Sequence, residues 1–418
     1  MSVDMTVPEV RFKGFSGDWE ENHLSKFISS LDAGVSVNSG DKPADDGEFG
    51  ILKTSCVTNG IFDPNENKVV SDTREINRLK ESVLKNTIII SRMNTPDLVG
   101  ANAYIDRNFL NYFLPDRLWA AKPTTFGDLR FIANILGSDR GREALSGLAT
   151  GTSGSMKNIS KPSVLRLKFH APIESEQTKI GNTFQKLDSL INQHQQKHDK
   201  LSSIKKAMLE KMFPKQGETT PEIRFKGFSG EWLSNPIGEI CGVTFGGGTP
   251  STNEKNFWQG EIPWIQSSDI KDGSVSSVTA KKYITKAAVS KSATKLISGN
   301  TIAIVTRVGV GKLSLMQSEY ATSQDFLSLS DLNINSQYAV YVIWKQLQIE
   351  KEQVQGTSIK GITKDELLGK FISYPESKEE QTKVGNYFQK LDALINQHQQ
   401  QITKLNNIKQ ACLSKMFV

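Results

Sequence analysis

Two arginines end two similar apolar stretches: Arg92 closes Thr87 to Arg92, TIIISR, and Arg307 closes Thr301 to Arg307, TIAIVTR. Short runs rich in isoleucine and valine, bounded by Gly, Ser and Asn, read as strands, so each arginine stands where a strand gives way to a loop. A guanidinium there can grip guanine O6 and N7 with two hydrogen bonds, or hold a phosphate. Further polar loop candidates are Gly247, Gly248, Thr249 and Ser251 in GGGTPS, Gln266 and Ser268 in QSSD, and Gln324 in TSQD. Glycine amides can approach a phosphate closely, and Gln or Asn can pair with an adenine edge. Asn94, Lys157 and Lys360 complete the set of candidate nucleic-acid contacts. Singly, each of these reads as an exposed loop residue; the collection is the signal.

Other chemistries fail on residue type or spacing. Gly309-Val310-Gly311-Lys312 has the lysine of a phosphate loop, but Thr306 stands where the first glycine belongs and Leu313 where Ser or Thr is required. Phe245 to Thr249, FGGGT, is like a methyl-donor loop, yet no Asn-Pro-Pro-Tyr segment accompanies it. With five histidines and no recognisable nucleophile, base and orienter, hydrolysis has no visible site. His194 and His198 have a spacing that can hold zinc, but Ile402 replaces the second histidine in the repeated stretch described below, so they read as packing residues. Cys56, Cys241 and Cys412 lie too far apart for a metal motif or a disulfide framework and read as reduced thiols. The net charge of +6 is compatible with a polyanionic partner without requiring one. No run approaches the roughly 18 apolar residues of a membrane span, and MSVDMTVPEV is not a leader, so the cytoplasm is the expected location.

The elements that must position the candidates are written twice. Pro8 to Trp19, PEVRFKGFSGDW, returns as Pro221 to Trp232, PEIRFKGFSGEW, at a register of 213 residues. Gln177 to Gln196 returns as Gln381 to Gln400 at a register of 204. Two long copies indicate a duplicated domain with its connector rather than a solenoid. Between the blocks the halves diverge, apart from fragments such as Asn86-Thr87 against Asn300-Thr301 and Gly151-Thr152-Ser153 against Gly356-Thr357-Ser358. Shared frames enclose dissimilar contents, and the contents are where the two units would do different work.

The second block opens a helix. Phe184, Leu187, Ile191 and Leu201, with His194 and His198 between, fall at alternating spacings of three and four, and Phe388, Leu391, Ile395 and Leu405 repeat the stripe. That is a coiled-coil seam, drifting where Ile204 and Ile408 precede Lys205 and Lys409. About 35 to 40 residues at 1.5 Å each make a rod of about 50 to 60 Å, and the simplest partner for each rod is the other, antiparallel. The regions between read as mixed α and β, with a helix expected around Gly127 to Leu136. The expected class is therefore α+β: mixed domains at residues 1–172 and 215–375, joined by long helices at 173–214 and 376–418 that pair as an antiparallel coiled coil with approximate two-fold symmetry.

Taken together, these residues resemble the specificity subunit of type I restriction and modification enzymes. The likeness rests on Glu176 to Lys179 and Glu380 to Lys383, on Leu-Asp-x-Leu-Ile at Leu187 and Leu391, and on the GGTPS loop at Gly247 to Ser251. Ile262-Pro263-Trp264-Ile265, the Arg307 to Gly311 turn and Gln355 to Ser358 add to it, while the first variable region lacks the GGTPS loop and the Ile-Pro-Trp-Ile segment. The resemblance implies two target recognition domains, each reading one half of a split, asymmetric site on double-stranded DNA, with the paired helices setting the distance between halves. It also implies two methylase subunits that dock on the chain and methylate adenine N6 with S-adenosylmethionine. Restriction and motor subunits using ATP and magnesium would be separate, and this chain would hold no metal or cofactor, contact no membrane and catalyse nothing. A methyltransferase or nuclease with a duplicated DNA-binding part lacks its motifs here. A bare helical scaffold leaves the two divergent loop-rich domains unexplained.

Overall fold

The computed structural model describes residues 6–58, 60–151, 156–353 and 361–418, the side chains of 350–353 aside. The chain forms two compact units: unit 1 is Met1–His194 with Gln401–Val418, and unit 2 is Gln195–Gln400. Four helices frame them: α1 (Leu129–Gly137), α2 (Glu174–Lys211), α3 (Ser336–Gln353) and α4 (Lys378–Lys415). The long helices α2 and α4 carry acids in the first turn and lysine in the last, which suits the helix dipole.

Each unit holds the first part of one long helix and the last part of the other, and within each unit these parts run antiparallel. In unit 1 Phe184 lies 5.7 Å from Phe417, and Lys409 Nζ donates to Asp188 Oδ1 at 2.6 Å. In unit 2 Phe213 stacks on Phe388 at 5.7 Å, and Lys205 reaches Asp392 at 2.5 Å. Of the seam residues, Phe184, Phe388 and Leu391 are buried, while Leu187, Ile191, Leu201, Ile395 and Leu405 are half-buried.

Unit 1 contains β1 (Ile28–Ala33), β2 (Thr87–Ser91), β3 (Met93–Asn94), β4 (Asn102–Ile105), β5 (Leu118–Pro123) and β6 (Lys157–Asn158). Unit 2 contains β7 (Cys241–Gly246), β8 (Ile262–Ile265), β9 (Lys282–Ile284), β10 (Thr301–Val305), β11 (Leu313–Met316), β12 (Ala321–Thr322) and β13 (Phe326–Leu332). The dissimilar sequences build the same antiparallel sheet, ordered β4-β2-β5-β1 in unit 1 and β11-β10-β13-β7 in unit 2. Ser91 faces Leu118 as Val305 faces Phe326. A parallel pair recurs as well, Ile51 beside Phe113 and Ile265 beside Thr322.

The Asn-Thr fragments mark the turn before each central strand. Asn86 and Asn300 take φ of 58° and 59°, a left-handed conformation that asparagine tolerates, and Thr87 and Thr301 each donate Oγ1 to a carbonyl three residues back. Helix α1 lies where it was expected. Helix α3 was not anticipated, because Tyr338 to Ile343, YAVYVI, is a continuous apolar run that fits a buried strand as well as a helix. Its burial against β10, β11 and α4 in one core settles the matter.

Candidate nucleic-acid interface

The residues common to both units are those that clamp each sheet to its helices. In unit 1 the Arg11 guanidinium grips Glu176 through two bonds (Nε to Oε1 2.8 Å, Nη2 to Oε2 2.7 Å) and also donates to the Gly17 and Ser16 carbonyls. In unit 2 Arg224 grips Glu380 (2.7 and 2.8 Å) and donates to the Gly230 and Ser229 carbonyls. Both carboxylates are 1% exposed, so each depends on its arginine for compensation. The next residue caps the sheet-covering helix: Gln177 Oε1 accepts from Asp128 N at 3.1 Å before α1, and Gln381 Oε1 accepts from Asn335 N at 2.7 Å before α3. A Cβ on Gly181 would lie 3.0 Å from Arg130 Cβ, and one on Gly385 2.9 Å from Tyr338 N, so glycine lets the helices approach. One repeated block is thus the binding partner of the other.

In unit 2 the frame brings several candidates to one end of the sheets. Ser323 N donates to Ile265 O at 3.0 Å, so Gln266 after β8 and Gln324 after β12 are neighbours. Thr249 Oγ1 donates to Gln324 Oε1, and Thr306 N donates to Asp325 O at 2.7 Å, which sets Arg307 beside them. Thr249, Ser251, Ser268, Arg307 and Gln324 are exposed and Gln266 is half-buried. Val308, which the sequence reading passed over, projects 70% exposed from the turn after Arg307. Gly247 and Gly248 do not offer their amides to a phosphate, since these donate to the Phe326 and Thr322 carbonyls. Glycine is needed there for room: a Cβ would lie 1.9 Å from Ser323 O or 2.6 Å from Ala293 C.

In unit 1, Arg92, Asn94 and Lys157 come together because β3 pairs with β6, placing Lys157 opposite Asn94. Lys157 Nζ donates to Gly151 O at 2.9 Å, and Asn94 is buried with its amide donating to Ser91 Oγ at 3.2 Å. Arg92 is half-buried, its guanidinium 5.8 Å from the Trp119 ring centroid and its Nε buried with no hydrogen-bond partner. Lys360 lies outside the described residues.

Arg92 and Arg307 are not equivalents, although both end similar strands. Arg92 N donates to Arg117 O and Arg92 O accepts from Ile159 N; the residue making the matching bonds, to Asp325 O and from Ile362 N, is Thr306. Arg307 therefore matches Met93. A shift of one residue sends the side chain to the other face, which leaves Arg307 exposed and Arg92 against Trp119.

Two residues of unit 1 escaped the sequence reading. Ser36 Oγ donates to Asp116 Oδ1 at 2.6 Å, the counterpart of the Thr249 to Gln324 bond. The signal was present: carrying the 213-residue register past Trp19 lays Gly34-Val35-Ser36 on Gly247-Gly248-Thr249. Gly34 has the same task as Gly247, since a Cβ there would lie 1.5 Å from Leu114 O.

His198 Nδ1 lies 3.0 Å from Asp199 Oδ1, and among the described residues no group of three His, Cys, Asp or Glu could hold a metal. Burial raises the thiol pKa of Cys56, Cys241 and Cys412, which opposes thiolate reactivity. Among the described residues no helix is long and apolar enough to cross a membrane.

Comparison with known proteins agrees with this geometry. Residues 229–407 match the family described as the type I restriction modification DNA specificity domain. The chain resembles type I specificity subunits. It is 34% identical over 182 residues to the EcoR124I/EcoR124II specificity subunit of Escherichia coli, covering 42% of this chain and 44% of that protein. It is 28% identical over 195 residues to the MjaIX specificity subunit of Methanocaldococcus jannaschii, covering 45% and 44%. The chain thus spans less than half the length of these specificity subunits. The crystal structure of the type I S subunit from M. genitalium matches 99% of both chains with a TM-score of 0.65 at 16% identity, which shows the shared fold.

Proposed function

We propose that this chain chooses the DNA sequence for a type I restriction and modification complex, each unit reading one half of a two-part target. The observation that carries the reading is a clamp of Arg, Glu, Gln and Gly, the same in both units, holding one sheet architecture whose strand ends carry different side chains. In unit 2 the reading surface is Thr249, Ser251, Gln266, Ser268, Arg307 and Gln324; in unit 1 it takes in Lys157 and the half-buried Arg92, while Asn94 is buried and holds Ser91. Arg307 suits a guanine edge, and the glutamines suit adenine. The chain is a scaffold as well as a reader. Two methylase subunits carry S-adenosylmethionine and methylate adenine N6, separate motor and nuclease subunits use ATP and magnesium, and the complex works in the cytoplasm.

The test is methylome sequencing of a host carrying the complete system. A motif of two short defined halves separated by unspecified pairs is expected, with Arg307→Ala altering one half only. A continuous motif, or methylation by the purified chain without partners, sinks the proposal.

A further inference from the structure

Asp116 is a carboxylate on an edge expected to meet phosphates, where its charge is unfavourable unless it faces a hydrogen-bond donor. Its place is defined by its neighbours. The hydroxyl that holds it, on Ser36, lies two residues after Gly34, as the hydroxyl of Thr249 lies two after Gly247, and the two hydroxyl residues are 213 apart. The next residue along, Arg117, gives its carbonyl to Arg92 N, as Asp325 gives its own to Thr306 N. Asp116 therefore stands in unit 1 where Gln324 stands in unit 2.

We infer that Asp116 is a base-reading residue of unit 1 and that it accepts a hydrogen bond from the N4 amino group of a cytosine in the major groove. This rests on the DNA reading proposed above. An ionised carboxylate only accepts, and the bond from Ser36 occupies one lone pair of Oδ1, leaving Oδ2 for a partner. Guanine O6 and N7, thymine O4 and phosphate oxygens are acceptors and repel it. Adenine sets its N7 acceptor beside its amino group, whereas cytosine sets a carbon-bound hydrogen there, so cytosine is the base edge that offers a donor with no adjacent acceptor. Gln324, at the equivalent point, carries both a donor and an acceptor and fits adenine. One backbone position thus presents different chemistry in the two units. Exposed Arg117 keeps the edge of unit 1 attractive to the duplex despite the carboxylate.

The full chain, expressed with the methylase subunits of its system and read by methylome sequencing, tests this. The expected wild-type motif has a C·G pair in one half, and Asp116→Ala lowers discrimination at that pair about five- to a hundred-fold while leaving the other half unchanged. Asp116→Asn, of the same shape but with a donor beside its acceptor, should move the preference at that pair towards adenine, and it supplies the readout should the alanine variant fail to fold. An unchanged motif in both variants, or a loss spread evenly over all sequences, overturns the assignment. A wild-type complex with no two-part motif would sink the DNA reading itself, whereas an intact two-part motif indifferent to both variants sinks the Asp116 assignment alone.

Discussion

Lys205–Asp392 in unit 2 and Lys409–Asp188 in unit 1 are the same ion pair, 204 residues apart, yet they live in different surroundings. In unit 2 the two side chains are 9% and 6% exposed; in unit 1 they are 12% and 48% exposed. The difference comes from the helix that covers each sheet. Helix α3 runs on past Tyr341, whose hydroxyl donates to Asp392 Oδ2 at 2.8 Å, to Trp344, whose ring lies 5.4 Å from Lys205 Nζ. Helix α1 has Asn134 and Gly137 where α3 has Tyr341 and Trp344, and a new helix starts at Asp139, so neither ring has a counterpart over Asp188 in α1. A duplicated frame therefore does not have duplicated energetics, because the unlike contents decide how much of it leaves water.

That comparison breaks most readily at the lysines. Lys205→Ala should destabilise unit 2 by about 3 to 5 kcal/mol, because a buried carboxylate loses its cation. Lys409→Ala should cost unit 1 at most about 1 kcal/mol, as for an exposed pair. Hydrogen exchange resolved by unit measures both, and equal losses would show that the burial difference has no energetic meaning.

Alkaline pH probes the tyrosines of α3 by a second route. Burial, and then the nearby charges of Glu380 and Asp392, push the Tyr338 and Tyr341 hydroxyls above their ordinary value, whereas unit 1 has Phe131 and Asn134 at the matching turns of α1. A raised folded-state value means the contribution is fully present below the unfolded value of about 10 and is lost as pH rises beyond it. Above pH 10, unit 2 should lose about 1.4 kcal/mol per pH unit for each tyrosine, and Tyr341→Phe should shallow the slope. Unit 1 should decline as well, because burial also raises Tyr104 and the Cys56 thiol, so the check is the variant: an unchanged unit 2 slope in Tyr341→Phe would point elsewhere.

The smallest expected effect distinguishes the two strand-end arginines. Arg92→Ala should lower the stability of unit 1 by about 0.5 to 1 kcal/mol through loss of the contact with Trp119. Arg307→Ala should leave stability within about 0.5 kcal/mol, as at other exposed sites. Thermal unfolding of the two variants checks this, and a clear loss for Arg307→Ala would mean that the exposed side chain has a structural task.

The clamp was half legible. Arg11, Glu176, Gln177 and Gly181 were visible as repeated letters, but a repeat states that residues matter twice and not that they touch. The antiparallel seam was legible at Phe184 and Phe388, since heptad spacing is a local property. The kinship of the central strands was legible in TIIIS and TIAIV, but that of the strands beside them, LWAAKP and FLSLSDL, was hidden, because a buried strand accepts any β-branched or apolar residue and so leaves little letter-by-letter trace. The offset between Arg92 and Arg307 was legible but overlooked: aligning Asn86-Thr87 on Asn300-Thr301 lays Arg92 on Thr306, and along a strand one residue of register decides the face.

By itself, then, the sequence determined that there are two units, where their frame lies and that long helices join them, properties carried by periodicity and repetition along the chain, while particular motifs carried the family resemblance. Tertiary structure alone decided that Arg11 meets Glu176, that Asp116 shares the station of Gln324, and that Asp392 is buried while Asp188 is not. Those are contacts between segments tens to hundreds of residues apart, and they depend on register, solvent exclusion and the length of a covering helix, none of which is written in any one stretch of residues.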